Sequence, residues 1–310
     1  MSSVTQPLAL PRTGAAALLR DYAELTKSRV TTLIMITAWC GFYFGALKTG
    51  VSSLSWTLVH AVIGIGMVSA GSAAMNEVVE RDTDAKMRRT AIRPLVTHHL
   101  GVGHATVLSL VLMLGGALYL VAAANVLTAG LALLTAAVYL LAYTPLKKVS
   151  PLCTLVGAFP GAMPGVLGWT AIRGKLEVEA FVLFAIVFFW QFPHFHAIAL
   201  LYRDDYARAG IRMLPVVEPD GRSTARAILL YGAALLPTTF FPTLMGMAGL
   251  VYLVGSAALG LALFYFCARV WREDLPVSSP QAKVLARQLL RATVIYLPLL
   301  FAFLMLNSKG

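Results

Sequence analysis

The chain has 310 residues, of which 58% are hydrophobic and only 13% charged, and its mean hydropathy of +0.76 leaves too little polar surface for a water-soluble globule of this length. A formal net charge of +11 raises nucleic acid as a partner, but the basic residues flank apolar runs, where they act as topology determinants facing anionic membrane lipid; no nucleic-acid partner is expected. Cys40, Cys153 and Cys267 each lie inside an apolar stretch with no metal-ligand or CxxC spacing, which excludes a disulfide framework and a zinc site.

Residues 1–29 contain no short apolar core followed by a small-residue cleavage site, so the first span is expected to be retained. This segment is read as cytoplasmic, with an interfacial helix. Apolar runs long enough to cross a bilayer follow near 30–48, 56–77, 102–122, 126–144, 151–171, 178–201, 227–246, 248–268 and 289–306. The fold class is therefore all-α: a polytopic bundle of about nine transmembrane helices, with 30–306 as one transmembrane domain and 307–310 as a short external tail. Small residues, as in Ala132 to Ala137 and Gly255 to Gly260, suit close helix packing in lipid.

The connections alternate between long and charged, and short and nearly neutral. All but Lys48, Arg173, Lys175 and Lys309 of the 25 Lys and Arg residues fall on one side. The positive-inside rule makes that side cytoplasmic and, with an odd number of spans, sends the C-terminus outside. All but Glu177 and Glu179 of the 14 acidic residues share that side. The rule does not act on acids, so their enrichment needs another reason, and a cation site supplies one.

Two charged segments carry the chemistry. The first continues the second span from Asn76 to Pro94; in a continuing helix Asn76, Glu80, Asp84 and Arg88 recur every four residues as one stripe, with Asp82 off it. Hard oxygen ligands on one face suit Mg²⁺, which takes one or two carboxylates and completes its shell with water and substrate phosphate. Lys86, Arg88, Arg89 and Arg93 follow as candidate phosphate ligands. The second segment, Trp190 to Pro215, enters the same side from the sixth span. Pro193 should kink that helix beside His194 and His196, which point apart at i and i+2 and do not share one metal.

The run Asn76-x-x-x-Glu80-x-x-x-Asp84, with Met87, Arg89-Thr90 and Arg93-Pro94-Leu95, resembles the signature of the intramembrane UbiA-type prenyltransferases. The resemblance is closer to the protohaem farnesyltransferase branch. It extends through Leu25-Thr-Lys27-Ser-Arg29, Tyr143-Thr144 with Lys147-Lys148, Gly161 to Pro164 with Gly168-Trp169, Trp190 to Phe195, and Asp205-Tyr206 with Ala209 to Ile211 and Met213 to Pro215. Two positions depart from the pattern: Glu80 stands where the family has Asp, and Ala209 stands where quinone-type members carry the last Asp of a second aspartate-rich motif.

The resemblance implies farnesyl transfer from farnesyl diphosphate to the 2-vinyl group of haem B with addition of water, giving haem O and diphosphate. It implies Mg²⁺ on Asn76, Glu80 and Asp84, and a catalytic set of these three with Lys86, Arg89, Arg93 and Asp205. Substrate binding falls to Lys27, Arg29, Arg88, Tyr143, Lys147, His194, Tyr206 and Arg208. No protein nucleophile is needed, in keeping with the absence of a Ser/His or Cys/His arrangement. Trp39, Phe42, Phe44, Trp169 and Phe188 are candidate linings for the prenyl chain. Partners would be farnesyl diphosphate, haem B, membrane lipid and a downstream haem-modifying enzyme, in a bacterial inner membrane. Two alternatives stand beside this reading: prenyl transfer to another aromatic or tetrapyrrole acceptor, and a transporter. A transporter should hold its ionisable groups near the midplane, whereas these lie at span ends.

Overall fold

The computed structural model describes residues 14–218 and 220–309; the first thirteen, with Arg12, lie outside the described residues. An amphipathic helix, α1 (Ala15–Leu25), precedes α2 (Ser28–Leu47), α3 (Trp56–Asp84), α4 (Val102–Ala123) and α5 (Val126–Leu146). After α6 (Cys153–Arg173) and α7 (Val178–Leu201) come two short helices, α8 (Arg203–Arg208) and α9 (Leu214–Val217). The chain closes with α10 (Arg222–Thr238), α11 (Leu250–Arg272) and α12 (Pro280–Leu306). Among the described residues nine helices are long and apolar enough to span a membrane, and there is no strand.

Local chemistry sets several starts. Ser55, Asn125 and Ser279 cap α3, α5 and α12 by accepting from the backbone N–H three residues on, and Pro280 takes the first turn of α12, where no N–H is needed. The helices overrun the apolar runs: α3 continues past residue 77 to Asp84, and α12 begins at Pro280 rather than near 289. Hydropathy marks the lipid-facing length, and polar turns beyond it stay helical. At 29 residues α3 is about 43 Å long, well over the roughly 30 Å hydrocarbon core.

Packing divides the bundle in two. Helix α3 lies along α4, and α2 along α6, with α5 closing that group; α7, α10, α11 and α12 form the second, joined to the first through the α6–α7 seam. At the α2–α6 contact a Cβ on Gly168 would sit 1.7 Å from the Ala38 carbonyl oxygen, and one on Gly41 1.9 Å from that of Gly165. These two helices meet backbone to backbone, which only glycine permits. Helix α7 runs unbroken through Pro193. Of the candidate lining aromatics, Phe42, Phe44 and Trp169 are core residues and Trp39 is partly exposed. Phe188 packs among Phe159, Phe184, Phe189 and Phe192.

Candidate active site

A cavity of about 520 Å³ opens at the charged end between α2, α3, α5 and α6. Asn76, Glu80 and Asp84 line it, as the four-residue spacing on α3 requires. Each is met by a cation from another element. The Lys27 ammonium donates to Asn76 Oδ1 at 2.8 Å, Lys147 to Glu80 Oε1 and Oε2 at 2.8 and 3.0 Å, and Arg93 to Asp84 Oδ2. The Asn76 amide donates to Thr144 Oγ1 at 3.1 Å, which fixes the amide with its oxygen toward Lys27.

The cations arrive by distinct routes. Lys27 sits at the α1–α2 junction with φ +48°, a left-handed turn that aims its side chain into the cavity while Arg29, two residues on, is exposed. Burial first, then the Arg93 and Lys147 charges, pull the Lys27 ammonium down to about 7. Arg93 reaches back from the loop after α3, where the Thr90 hydroxyl also donates to the Asp84 carbonyl at 2.8 Å. Lys147 follows α5, whose Val138–Tyr143 stretch is a π-turn. A regular helix drifts about 60° between Ala132 and Lys147; the wider turn absorbs one residue and keeps both on the cavity side with Tyr139 and Tyr143. Those two rings stack at 5.6 Å, and Lys147 lies 4.5 Å above Tyr143.

The second charged segment covers one wall. The Arg212 N–H donates to the Lys147 carbonyl at 2.7 Å, and Tyr206, Ile211 and Met213 line the cavity. Met87, Ala199, Tyr206, Ala209 and Ile211 form a small apolar cluster that ties this segment to the loop after α3. Arg89, on that loop, lines the cavity and lies 5.0 Å over the Tyr202 ring.

The cavity therefore gathers Lys27, Asn76, Glu80, Asp84, Arg89, Arg93, Tyr143, Lys147 and Tyr206. It leaves six predicted residues outside its wall. Helix α3 stops at Asp84, so Arg88 is not the fourth member of the stripe; Lys86 and Arg88 are exposed on the turns that follow. Asp205 and Arg208 pair with each other on α8, whose cavity-facing residue is Tyr206. Arg29 is exposed, as described. His194 faces α12: its Nδ1 bonds Thr293 Oγ1 at 3.0 Å and its ring stacks on Trp190, while the next residue, Phe195, is the one that lines the cavity.

Sequence reasoning missed Tyr139 and Glu77. Tyr139 contacts Lys27 across 112 positions of chain, which no local pattern reports. Glu77 is fully buried behind the stripe, with neither carboxylate oxygen hydrogen-bonded among the described residues. An acid one step from a metal-binding pattern was the available signal.

Three oxygen donors on one face suit Mg²⁺. Among the described residues no three His, Cys, Asp or Glu side chains converge as a complete metal cage. This partial set fits an ion that keeps waters and takes substrate phosphate oxygens. Below the charged groups the wall is apolar or small: Ile34, Ile65, Val68, Ala132, Pro164 and Leu167. The arrangement can hold an anionic head at the mouth and an apolar tail in the depth.

A model of the UbiA prenyltransferase family matches residues 34–306. Protoheme IX farnesyltransferase of Koribacter versatilis is 65% identical over 99% of this chain and 99% of its own length. That of Solibacter usitatus is 46% identical over 94% and 100%. Among solved structures, a digeranylgeranylglyceryl phosphate synthase superposes with a TM-score of 0.74 at 16% identity, covering 93% of this chain and 98% of that one. A UbiA homolog from Archaeoglobus fulgidus bound to GPP and Mg²⁺ gives 0.61 at 18%, covering 92% and 99%. At these identities the structures share the fold.

Proposed function

From the premise that this chain belongs to the UbiA prenyltransferase family, we propose that it transfers the farnesyl group of farnesyl diphosphate to the 2-vinyl group of haem B, with addition of water, giving haem O and diphosphate. It is a multi-pass membrane prenyltransferase. The observation that carries the reading is the polarity of one cavity: Lys27, Arg89, Arg93 and Lys147 at the mouth, and an apolar arm below. The relatives named protoheme IX farnesyltransferase direct the choice of acceptor.

The residues suit ionisation of an allylic diphosphate. Lys27, Arg89, Arg93 and Lys147 receive the phosphate oxygens and stabilise the charge that develops as the C–O bond breaks and its electron pair leaves with diphosphate. Mg²⁺, held by Asn76, Glu80 and Asp84, supplies further neutralisation of that leaving group when bound. The apolar arm and the Tyr139–Tyr143 pair shield the allylic cation from water. The terminal vinyl carbon of haem B then bonds to farnesyl C1. Water adds to the cation left on the inner vinyl carbon and loses a proton. His194, with Nδ1 held by Thr293 and Nε2 without a hydrogen-bond partner among the described residues, is assigned to the haem outside the cavity, next to Phe195. The charged end faces the cytoplasm in this reading, within a bacterial inner membrane.

The test is direct. Purified protein with haem B, farnesyl diphosphate and Mg²⁺ should yield a product heavier than haem B by one farnesyl group and one hydroxyl. Folded protein that yields none overturns the assignment.

A further inference from the structure

The cavity has a floor. Its deepest members are Ile34 on α2, Ile65 on α3, Ala132 on α5 and Leu167 on α6, each the lining residue of its helix furthest from the charged mouth. Ile65, Ala132 and Leu167 are buried and belong to one apolar cluster with Ala38, Met113 and Leu120. Directly after Leu167 comes Gly168, where α6 meets α2 at the Ala38 carbonyl, and the contact repeats at Gly41 and Gly165. A side chain can rotate out of the way of a longer ligand, but a helix backbone held against another cannot. Depth is thereby limited, and the Ile65 and Leu167 side chains fill the last space before that contact.

The depth can be compared with a substrate. From Asn76 to Ile65 α3 rises about 16 Å. A farnesyl chain, with twelve carbons and eleven bonds in its main line, extends about 13 Å at roughly 1.2 Å per bond of extended chain, and one more isoprene unit adds about 5 Å. Three units fit the arm; four overrun it, and two leave its end unfilled. Resting on the prenyl diphosphate reading above, we propose that Ile65 and Leu167 act as a ruler that selects a fifteen-carbon prenyl chain by its length.

Wild type, Leu167→Ala and Ala132→Leu are to be compared with geranyl, farnesyl and geranylgeranyl diphosphate. Two readouts serve: competitive transfer to haem B, and displacement of a bound fluorescent prenyl diphosphate. Leu167→Ala removes three carbons from the floor and should raise the geranylgeranyl-to-farnesyl ratio of kcat/KM at least about tenfold. Ala132→Leu adds three and should raise the geranyl-to-farnesyl ratio by a similar factor. A purely structural defect lowers all three chains together and leaves the ratios unmoved. If both folded variants keep wild-type ratios within about twofold in transfer and in displacement, the ruler is wrong. If wild type transfers no chain to haem, the acceptor reading fails, and the displacement ratios still decide the ruler.

Discussion

At the scale of single residues, the site is a row of three oxygen donors, Asn76, Glu80 and Asp84, each engaged by a cation from elsewhere in the chain. Asp84 closes α3, carries Arg93 and stands on the proposed metal face. Asp84→Asn keeps the shape and removes the charge, so turnover should fall about 10²- to 10³-fold while the protein still inserts and folds, at a lowered thermal midpoint because the half-buried Arg93 loses its partner. Initial rates over a Mg²⁺ titration check this, and near-normal rates would remove Asp84 from the site. Glu80 and Lys147 are both nearly buried, at side-chain exposures of 10% and 12%. Breaking such a pair from one side strands the other charge. Glu80→Gln and Lys147→Met should each lower the melting temperature more than the double variant does, with a coupling of about 1–3 kcal/mol in a double-mutant cycle. Additive losses would mean that the pair contributes no mutual stabilisation.

At the scale of elements, the α2–α6 contact holds the cavity's depth. Gly168→Ala would place a methyl carbon 1.7 Å from a backbone oxygen, so the two helices must separate. The variant should express poorly and lose several degrees of thermal midpoint, since forced overpacking costs about 1–3 kcal/mol. Gly103, on α4 with nothing within 4 Å of an added Cβ, is the control. Gly103→Ala should be neutral or stabilising by up to about 1 kcal/mol. Comparable melting curves for the two would contradict the close approach.

Much of this was legible in the sequence. Nine spans followed from apolar length, and the Asn76, Glu80, Asp84 face from helical period, because both depend on neighbours along one helix. What stayed hidden depends on contacts across the bundle. Lys27 entered only through the family resemblance, since nothing local says that a lysine before the first span meets Asn76 across 49 positions. The π-turn in α5 has no mark in the composition of Val138 to Tyr143. The lining was misjudged for a related reason: Trp39, Phe42, Phe44, Trp169 and Phe188 lie elsewhere in the bundle, and the aromatics that do line the cavity, Tyr139, Tyr143, Phe195 and Tyr206, stand beside small residues such as Ala132, Ala136 and Gly161 that leave it open.

At the scale of the whole molecule, the unequal charge of the two ends acquires two meanings. Basic residues carry the proposed orientation and in part face the cavity; of the acids, which orientation leaves unexplained, Glu80 and Asp84 line the cavity where a divalent ion is proposed. The orientation is open to labelling. Val149 and Lys175 are exposed at opposite ends of α6, and the three native cysteines are buried. A membrane-impermeant maleimide should label Lys175→Cys in intact spheroplasts and Val149→Cys only after they are opened. The reverse pattern would invert the topology.

The central claim is that one cavity ionises a prenyl diphosphate and delivers its carbon chain to a haem vinyl group that water then completes. A single-turnover reaction of wild type and Asp84→Asn with haem B, farnesyl diphosphate and Mg²⁺ in H₂¹⁸O, read by mass spectrometry, tests it most directly. Wild type should give farnesylated haem with one ¹⁸O in its new hydroxyl group and one equivalent of diphosphate, and the variant almost none. Diphosphate release without haem product, or product without ¹⁸O, would contradict it.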